Sequence, residues 1–293
     1  MTSIEWTDET WNPTRGCSRV SAGCEHCYAE RQAIRHAGPG RPYEGLVRMV
    51  NGHPVWTGRV VTVPEKLEEP LRWRKPRRVF VDSMSDLFHD DLPVDFLADV
   101  FAVMAIATRH TFQVLTKRPT NMLALLSSGN FWIAVNAALW RRCEPVLPGG
   151  APLILPNVWL GVSVEDQASA DERIPLLLET PAAIRFVSYE PALGPVSLCA
   201  AIKVDWIIVG GESGPGARPI ELAWVRDTIA WGRCSGVPVF VKQLGARPLE
   251  PARPIDVANP TAGRLQRMRI RLRDRKGGDP SEWPEDLRVR EWP

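Results

Sequence analysis

Residues 158–166 read Val-Trp-Leu-Gly-Val-Ser-Val-Glu-Asp, a continuous apolar run that ends in two acidic residues. An apolar run of this length without polar alternation is typical of a strand buried on both faces, as in a parallel sheet. The chain has five other short β-rich runs of this kind, at 79–82, 112–115, 184–188, 206–209 and 237–241. We therefore predict six strands of a parallel sheet.

Helical segments are predicted between these strands. They lie at 94–107, 121–126, 168–179 and 221–234, where apolar residues recur at helical spacing or charges occupy one side. This alternation predicts an α/β fold with right-handed crossovers. Two segments, at about 37–64 and 128–156, interrupt the pattern and are predicted insertions. We predict one domain over residues 1–245 and an Arg/Pro-rich C-terminal extension over 246–293, packed on it.

The bulk composition excludes few classes of protein. Of the 293 residues, 44% are hydrophobic and 24% are charged, which is ordinary for a soluble globular protein. A formal net charge of +2 creates no overall field that points to a nucleic acid or a membrane surface. No apolar run approaches the length of a transmembrane helix, and residues 1–13 lack the layout of a signal peptide. We expect a cytoplasmic protein without a membrane partner.

Polar residues lie at the carboxyl end of each predicted strand. In chain order these residues are Ser83, Ser85 and Asp86; Thr116, Lys117 and Arg118; Ser163, Glu165 and Asp166; Tyr189 and Glu190; Gly210, Gly211, Glu212 and Ser213; and Lys242 and Gln243. Ligands of α/β barrels and open parallel sheets bind at this end of the strands. We therefore expect a shared site there. The alternative is that the strands simply end where polarity begins.

Three cysteines, Cys17, Cys24 and Cys27, form a cluster close to residue 1. In a reducing cytosol such a cluster indicates metal binding or catalysis rather than disulfides, and thiolates favour zinc or iron–sulfur assemblies. A structural zinc site has four ligands, usually in two pairs, and this chain has a single C-x-x-C pair. Three thiolates leave one iron of a 4Fe-4S cluster open for chemistry. We predict that cluster and keep two alternatives, a zinc site and cysteines that bind no metal.

The remaining cysteines, Cys143, Cys199 and Cys234, are isolated in apolar or mixed segments. An isolated cysteine commonly behaves as a small buried hydrophobe. We therefore expect these three side chains to be buried and to take no part in the metal centre.

Several stretches carry a resemblance that covers nearly the whole chain. They run from IEWTDETWNPTRGCSRVSAGCEHCYAE through VFVDSMSDLFHD, LTKRP, NVWLGVSVED, FVSYEPALGP, WIIVGGESGPGARP and VFVKQLG to KGGDPSEWPEDLRVREWP. With these stretches the chain resembles an uncharacterised phage-associated family related to the radical S-adenosylmethionine (radical SAM) superfamily, distantly similar to spore photoproduct lyase. Most of that superfamily spaces its cysteines C-x3-C-x2-C, whereas the first gap here has six residues.

The resemblance implies a partial (β/α) TIM-like barrel of the radical SAM type with the cluster at its mouth. The open iron would bind S-adenosyl-L-methionine, and an electron from a donor such as flavodoxin or ferredoxin would yield a 5′-deoxyadenosyl radical. We expect contacts to S-adenosylmethionine from Ser83, Ser85, Asp86, Lys117, Ser163, Glu190, Gly210 and Gly211. Glu212 and Lys242 are the candidate catalytic residues.

An arginine ladder lies close to the C-terminal end of the sequence. As a strand, residues 267–273 would present Arg267, Arg269, Arg271 and Arg273 on one face, where they could neutralise phosphates. The alternative is an edge strand whose arginines are solvated or paired with acids such as Glu282, Glu285 and Asp286. Trp283 and Trp292 either stack on bases or, as the alternative, plug the core and hold the tail.

Two functions of different classes remain. The first is a radical enzyme that acts on DNA, RNA or a nucleotide, in repair or modification. The second is a non-catalytic, zinc-binding protein that binds nucleic acid or another partner. The metal content and the visible spectrum of anaerobically purified protein distinguish them, because iron–sulfur clusters are coloured and zinc thiolates are not.

Overall fold

The computed structural model describes residues 4–149, 152–199, 202–251 and 267–293. The chain divides into two compact units. The first unit comprises Met1–Ser163 and Glu172–Phe186, and the second comprises Val164–Asp171 and Val187–Pro293. The predicted boundary at residue 245 stays a prediction.

The strands are β1 (Glu9–Trp11), β2 (Thr14–Arg15), β3 (Val47–Val50), β4 (His53–Trp56), β5 (Val61–Thr62), β6 (Arg78–Val81), β7 (Thr111–Thr116), β8 (Val158–Val164), β9 (Ile184–Tyr189), β10 (Trp206–Gly210), β11 (Ile220–Glu221), β12 (Val239–Gln243), β13 (Pro248–Pro251) and β14 (Arg267–Arg269). Six of the strands, β6 to β10 and β12, occupy the predicted runs to within two residues. The main sheet has seven strands in the order β1-β6-β7-β8-β9-β10-β12. It contains all six predicted strands and adds β1, whose three residues are too short to be recognised from the sequence.

Six α-helices accompany the strands. They are α1 (Tyr28–Ala33), α2 (Val94–Ile106), α3 (Pro119–Leu126), α4 (Gly129–Arg141), α5 (Gln167–Glu179) and α6 (Leu222–Ser235). The four predicted helices are confirmed as α2, α3, α5 and α6, with ends that differ by one or two residues. Helix α4 lies inside the segment predicted as an insertion. The result is a mixed α/β fold with a parallel main sheet, compatible with a partial TIM-like arrangement.

The core of the first unit is built on the apolar strands. Trp11 lies beside Val81, Val81 beside Val114 and Val114 beside Leu160, in four neighbouring parallel strands. All four side chains are buried. Because each strand is apolar on both faces, helices or loops must cover both sides of the sheet. The same register brings the carboxyl ends of β1, β6, β7 and β8 to one edge.

Residues near the C-terminal end pair with a strand of the second unit. Val241 N donates to Val289 O at 2.8 Å, and Glu291 N donates to Val239 O at 2.9 Å, so the tail pairs with β12. Trp283 is buried, and Trp292 stacks on Trp206 with ring centroids 5.0 Å apart. Both tryptophans therefore hold the tail in place, as the second of the two sequence interpretations predicts.

Helix length and composition bear on membrane insertion. Among the residues that the structure describes, no single helix has the length and apolar content needed to cross a bilayer, although the bent pair α3 and α4 passes that test jointly.

Candidate metal centre

The cysteine loop is the segment from Cys17 to Cys27, between β2 and α1. Cys24 ends a single 3-10 turn, and Cys27 lies at the N-cap position of α1. Gly16, directly before the first cysteine, has φ +90°, and a side chain there would overlap the carbonyl oxygen of Arg59. Only glycine adopts this conformation readily at so close a contact. The chain therefore enters the loop through a turn that fixes the position of Cys17.

An ion pair between Arg19, which is exposed, and the buried Glu30 ties the two ends of the cysteine loop together. Arg19 Nη2 lies 2.6 Å from Glu30 Oε2, and Arg19 Nε donates to Glu30 Oε1 at 2.9 Å. Glu30 is almost fully buried and also accepts from Trp56 N at 2.9 Å. A bidentate arginine–carboxylate contact is strong and directional. It holds the residues after Cys17 against α1, which carries Cys27.

The thiols lie in largely apolar surroundings. Cys17 and Cys27 pack against a buried cluster formed by Ala29, Ala33, Leu46, Val47 and Trp56. Burial raises the pKa of the Cys27 thiol, although backbone N–H groups of Glu30 and Ala29 oppose the shift. Burial and the Asp86 carboxylate raise the pKa of Cys17 to about 12. Without a metal these thiols stay protonated, so metal binding must displace their protons.

Arg118, at the end of β7, reaches the first cysteine. Its Nη1 lies 3.9 Å from Cys17 Sγ and donates to Asp86 Oδ2 at 3.0 Å. Its Nη2 donates to the carbonyl and hydroxyl oxygens of Ser18, at 3.1 and 2.7 Å. Ser18 Oγ also lies 2.8 Å from His89 Nε2. Arg118 is a candidate site residue that the sequence placed only among the strand-end residues, because its partner lies 101 positions earlier.

Asp86 fixes the arginine in this position. It accepts from Thr116 Oγ1 at 2.7 Å and from Lys117 N at 3.2 Å, as well as from Arg118. Asp86 and Arg118 are both buried. Two charges taken out of water need several good hydrogen bonds to offset the loss of hydration, and this pair has them. The strand-end residues of β6 and β7 thus form one network that ends at Cys17.

Residues 82–86, after β6, clasp the segment that leads into the cysteine loop. Ser85 Oγ donates to Gly16 O at 2.8 Å, and Ser83 Oγ donates to Asn12 Oδ1 at 3.0 Å. Asn12 Oδ1 also accepts from Met84 N at 3.1 Å. The contacts of Ser83 and Ser85 to S-adenosylmethionine stay predictions. In the structure both hydroxyls position the backbone beside Cys17.

Asp82 is a second candidate residue, and no sequence pattern indicates it. It is buried, has φ 57°, and its burial raises its pKa to about 8. Thr14 Oγ1 lies 2.8 Å both from Asp82 Oδ2 and from Ser85 Oγ. A hydroxyl has one proton to donate. A protonated Asp82 accounts for the whole chain of contacts, because Asp82 then donates to Thr14, Thr14 to Ser85, and Ser85 to Gly16 O.

Lys117 and Ser163 meet at the same edge of the first unit. Lys117 Nζ donates to Ser163 Oγ at 2.5 Å, although Lys117 follows β7 and Ser163 lies near the end of β8. Arg173 Nη1 donates to Ser163 O at 2.7 Å and anchors the end of β8. The prediction that strand ends converge is confirmed for Asp86, Lys117 and Ser163 within this unit.

The second unit has its own polar cluster at strand ends. Lys242 Nζ lies 3.2 Å from Glu190 Oε1, and Ser188 Oγ donates to Glu190 Oε2 at 3.2 Å. A side chain at Gly210 would come within 2.6 Å of Glu190 Oε1, so glycine leaves room for this carboxylate. The roles of Glu190, Gly210 and Lys242 stay predictions.

Glu212 and Gly211, near this cluster, form hydrogen bonds within the second unit. Glu212 is buried and forms a bidentate pair with Arg218, with Nη2 to Oε1 at 2.8 Å and Nε to Oε2 at 3.2 Å. Gln243 Nε2 donates to Gly211 O at 2.8 Å. The catalytic role of Glu212 stays a prediction, with its carboxylate engaged by Arg218 in this structure.

The arginine ladder is only partly a strand. Strand β14 covers Arg267–Arg269 and pairs antiparallel with β13. Arg269 Nη2 donates to Ala246 O at 3.0 Å, and Arg271 is exposed. Arg273 pairs with Glu282, Nε to Oε1 at 2.9 Å. The side chain of Arg267 lies outside the described residues. The ladder thus mixes one internally paired arginine with exposed ones, and nucleic-acid binding stays a prediction.

The expectation that the isolated cysteines are buried is wrong. Cys143, Cys199 and Cys234 are exposed, whereas Cys17, Cys24 and Cys27 are partly buried. Apolar neighbours in sequence do not determine which way a side chain points. Cys143 follows α4 at φ 57°, and Cys234 lies in the last turn of α6. Burial therefore divides the six cysteines into the same two sets as their spacing in the sequence does.

The donor set fits an iron–sulfur cluster by its chemistry. Three thiols lie on one short segment, two of them against an apolar wall and one beside a cationic donor, and such clusters are held by thiolates. Within the ranges that the structure describes, no three Cys, His, Asp or Glu side chains are grouped tightly enough to hold a single metal ion. The ligands of a cluster bind separate iron atoms and stand further apart than those of one ion.

The fold and this site define the class: an α/β protein with a cysteine loop at the carboxyl ends of its parallel strands. The chain belongs to a family described as a protein of unknown function (DUF5131), whose model matches residues 1–275. Neither the curated proteins nor the solved structures contain a match to the chain.

Proposed function

We propose that this protein is an iron–sulfur enzyme of the radical SAM type, with Cys17, Cys24 and Cys27 as the cluster ligands. The observation that carries the proposal is the meeting of the cysteine loop with the buried Asp86–Arg118 pair at the carboxyl ends of β1, β6 and β7. This is the edge of a parallel sheet at which ligands bind.

A bound cluster would supply the electron that splits the carbon–sulfur bond of S-adenosylmethionine into methionine and a 5′-deoxyadenosyl radical. The chain's own residues bind and orient. Gly16 and Ser85 set the position of Cys17, and the Arg19–Glu30 pair holds α1 beside the loop. The apolar cluster around Trp56 covers Cys17 and Cys27 on one side.

Lys117 is the proposed cation for the carboxylate of S-adenosylmethionine. Its ammonium group lies at the strand-end edge of the first unit, with Ser163 Oγ as a hydrogen-bond acceptor. An ammonium group on a long stem turns toward an anionic ligand at little cost, since it is a flexible point charge. Ser163 then orients the ammonium group rather than neutralising it.

A nucleic acid or nucleotide is the proposed substrate class. The support is the exposed arginine ladder, in particular Arg269 and Arg271. Arginines on one face of a segment neutralise phosphates and give salt-dependent binding. Flavodoxin or ferredoxin is the proposed class of electron donor.

The experiment is S-adenosylmethionine cleavage under strict anaerobiosis. Reconstituted protein is incubated with S-adenosylmethionine and dithionite, and 5′-deoxyadenosine is measured by chromatography. We expect 5′-deoxyadenosine with the wild type and none above background with Cys24→Ala. A protein that carries a cluster and yields no 5′-deoxyadenosine contradicts the radical assignment. A colourless protein with stoichiometric zinc contradicts the cluster as well and supports the non-catalytic alternative.

The Lys117 role has its own variant. We expect Lys117→Met to retain the cluster and to raise the concentration of S-adenosylmethionine required for half-maximal cleavage, because the carboxylate loses its cation. Arg142→Gln is the control, since Arg142, directly after α4, pairs with Asp99 on α2 and lies outside the proposed site. An unchanged concentration dependence in Lys117→Met contradicts the role.

A further inference from the structure

We infer that Arg118 is a positioning residue that sets the reduction potential of the metal centre through Cys17. The inference rests on the proposed cluster and adds a role that neither the cysteine spacing nor the family assigns. Its basis is the hydrogen bond from Arg118 Nη1 to Cys17 Sγ at 3.9 Å.

The geometry of Arg118 is specific to one of the three cysteines. Its Nη2 grips both oxygens of Ser18, the residue after Cys17, so the guanidinium plane is locked to the loop at two points. Its Nη1 is shared between the Cys17 sulfur and Asp86 Oδ2. Lysine cannot reproduce this arrangement, because an ammonium group lacks the planar fork.

Burial strengthens the electrostatic effect of Arg118 on Cys17. Arg118 is 8% exposed and Asp86 is 6% exposed, so water screens their charges weakly. Hydrogen bonds to the sulfurs and the net charge around a cluster are among the factors that set its potential. A cationic donor at one ligand stabilises the more negative, reduced form and raises the potential. The Asp86 carboxylate acts in the opposite direction.

The charge of Asp86 thus opposes the effect of Arg118 on the reduction potential. It orients the guanidinium and offsets part of the positive charge near Cys17. The pair predicts opposite signs for two substitutions. Arg118→Gln removes the cation and lowers the potential, whereas Asp86→Asn removes the anion and raises it.

The test is a redox titration of the reconstituted protein with dithionite, followed by electron paramagnetic resonance of the reduced cluster. S-adenosylmethionine is left out, so that the result is independent of turnover. At the wild-type midpoint potential we expect the ratio of reduced to oxidised cluster to fall about tenfold in Arg118→Gln, a shift of about 59 mV for one electron. Arg118→Lys keeps the charge and shifts less. Asp86→Asn shifts to higher potential.

Arg142→Gln is the matched control, because it removes an arginine from an aspartate pair outside the cysteine loop and leaves the potential unchanged. A cluster with the wild-type potential in both Arg118→Gln and Asp86→Asn contradicts the role. If Arg118→Gln fails to assemble, Asp86→Asn decides: a higher potential supports the role and an unchanged one contradicts it. A wild type without a cluster overturns the proposed function and this role together, whereas a cluster insensitive to both substitutions overturns this role alone.

Discussion

Thr14 Oγ1 lies 2.8 Å from Asp82 Oδ2, and Thr14 N lies 3.2 Å from Asp82 Oδ1, in a site from which water is excluded. A carboxyl beside a hydroxyl and a backbone N–H would ordinarily be ionised and accept a hydrogen bond from each of them. Here burial outweighs them and, with the nearby Asp86, raises the pKa of Asp82 to about 8. The link from Asp82 through Thr14 and Ser85 to Gly16 makes this carboxyl part of the support for Cys17.

The raised pKa predicts how stability depends on pH. The folded pKa is about 8 and the ordinary value is 3.8, so Asp82 contributes its full stabilisation below about pH 4. This contribution is lost as pH rises from there through 8, on the order of 5 kcal/mol in total. Asp82→Asn keeps the shape, and its amide donates to Thr14 Oγ1. We expect the free energy of unfolding of the wild type to fall, relative to that of Asp82→Asn, as pH rises across this window.

The measurement is urea denaturation of both proteins at intervals from pH 4 to 8. The difference between them cancels the histidines, whose lowered pKa values affect both proteins alike. Asp95→Asn serves as the control for the loss of one carboxyl, since Asp95 is exposed in the first turn of α2. A constant difference between wild type and Asp82→Asn would mean that Asp82 is ionised in the fold.

Gly16 and Gly58 form a matched pair for testing the turn before Cys17. Both have φ +90°, but a side chain at Gly16 meets the Arg59 carbonyl, whereas nothing lies within 4 Å at Gly58. We expect Gly58→Ala to cost about 1–2 kcal/mol from backbone strain alone and to retain the metal. Gly16→Ala should cost more and bind less iron, because the loop must move. Urea denaturation and iron analysis measure both effects, and equal losses in the two variants argue against the turn.

Glu282 tests whether the arginine ladder binds DNA. In the fold, Glu282 neutralises Arg273, so Glu282→Gln frees one cation. We expect tighter binding to a double-stranded oligonucleotide and a plot of log binding constant against log salt that is steeper by roughly 0.9. Arg271→Gln should make the slope shallower by a similar amount.

The control for Glu282→Gln is Glu285→Gln, which removes the same charge from the exposed end of the neighbouring turn. Glu285→Gln should alter affinity less and leave the slope nearly unchanged. Fluorescence anisotropy over a range of salt concentrations gives the slopes. If the slope is the same in wild type, Glu282→Gln and Arg271→Gln, the ladder is not the DNA-binding surface.

The strands of the main sheet were predictable because burial on both faces leaves an unbroken apolar run. Val158–Val164 matches its strand to the residue. Helix α4 is not predicted, because a Pro- and Gly-rich stretch follows it and gives the whole segment the composition of an insertion. The sequence around Trp132 is nonetheless helical, and Trp132 is buried against Phe101.

The cysteine set was also predictable, since close spacing of thiols is a local property. The residues that surround these cysteines in the fold were not predictable. Arg118 and Cys17 are far apart in sequence, and their contact exists only because β1 and β7 flank β6 in the sheet. The protonation of Asp82 depends on burial by the tertiary fold, which no local pattern conveys. The exposure of Cys143 depends on the direction of one side chain after α4.

The ligand assignment predicts a pattern across all six cysteines. Single changes of Cys17, Cys24 or Cys27 to Ala should abolish the metal centre, because three thiolates are the minimum for a cluster with one open iron. The same change at Cys143, Cys199 or Cys234 should leave it intact, since these residues are exposed and distant in sequence from the loop. Iron and sulfide analysis of each variant measures this. Loss of iron in any member of the second set would show that the ligand set is incomplete.

Iron and acid-labile sulfide content, together with the visible spectrum, is the most direct test of the central claim. It is made on wild-type protein purified and reconstituted without oxygen. We predict a brown protein that absorbs near about 400 nm, with about four irons and four sulfides per chain, as expected of a 4Fe-4S cluster. A colourless protein that retains one zinc per chain after the same treatment would contradict it.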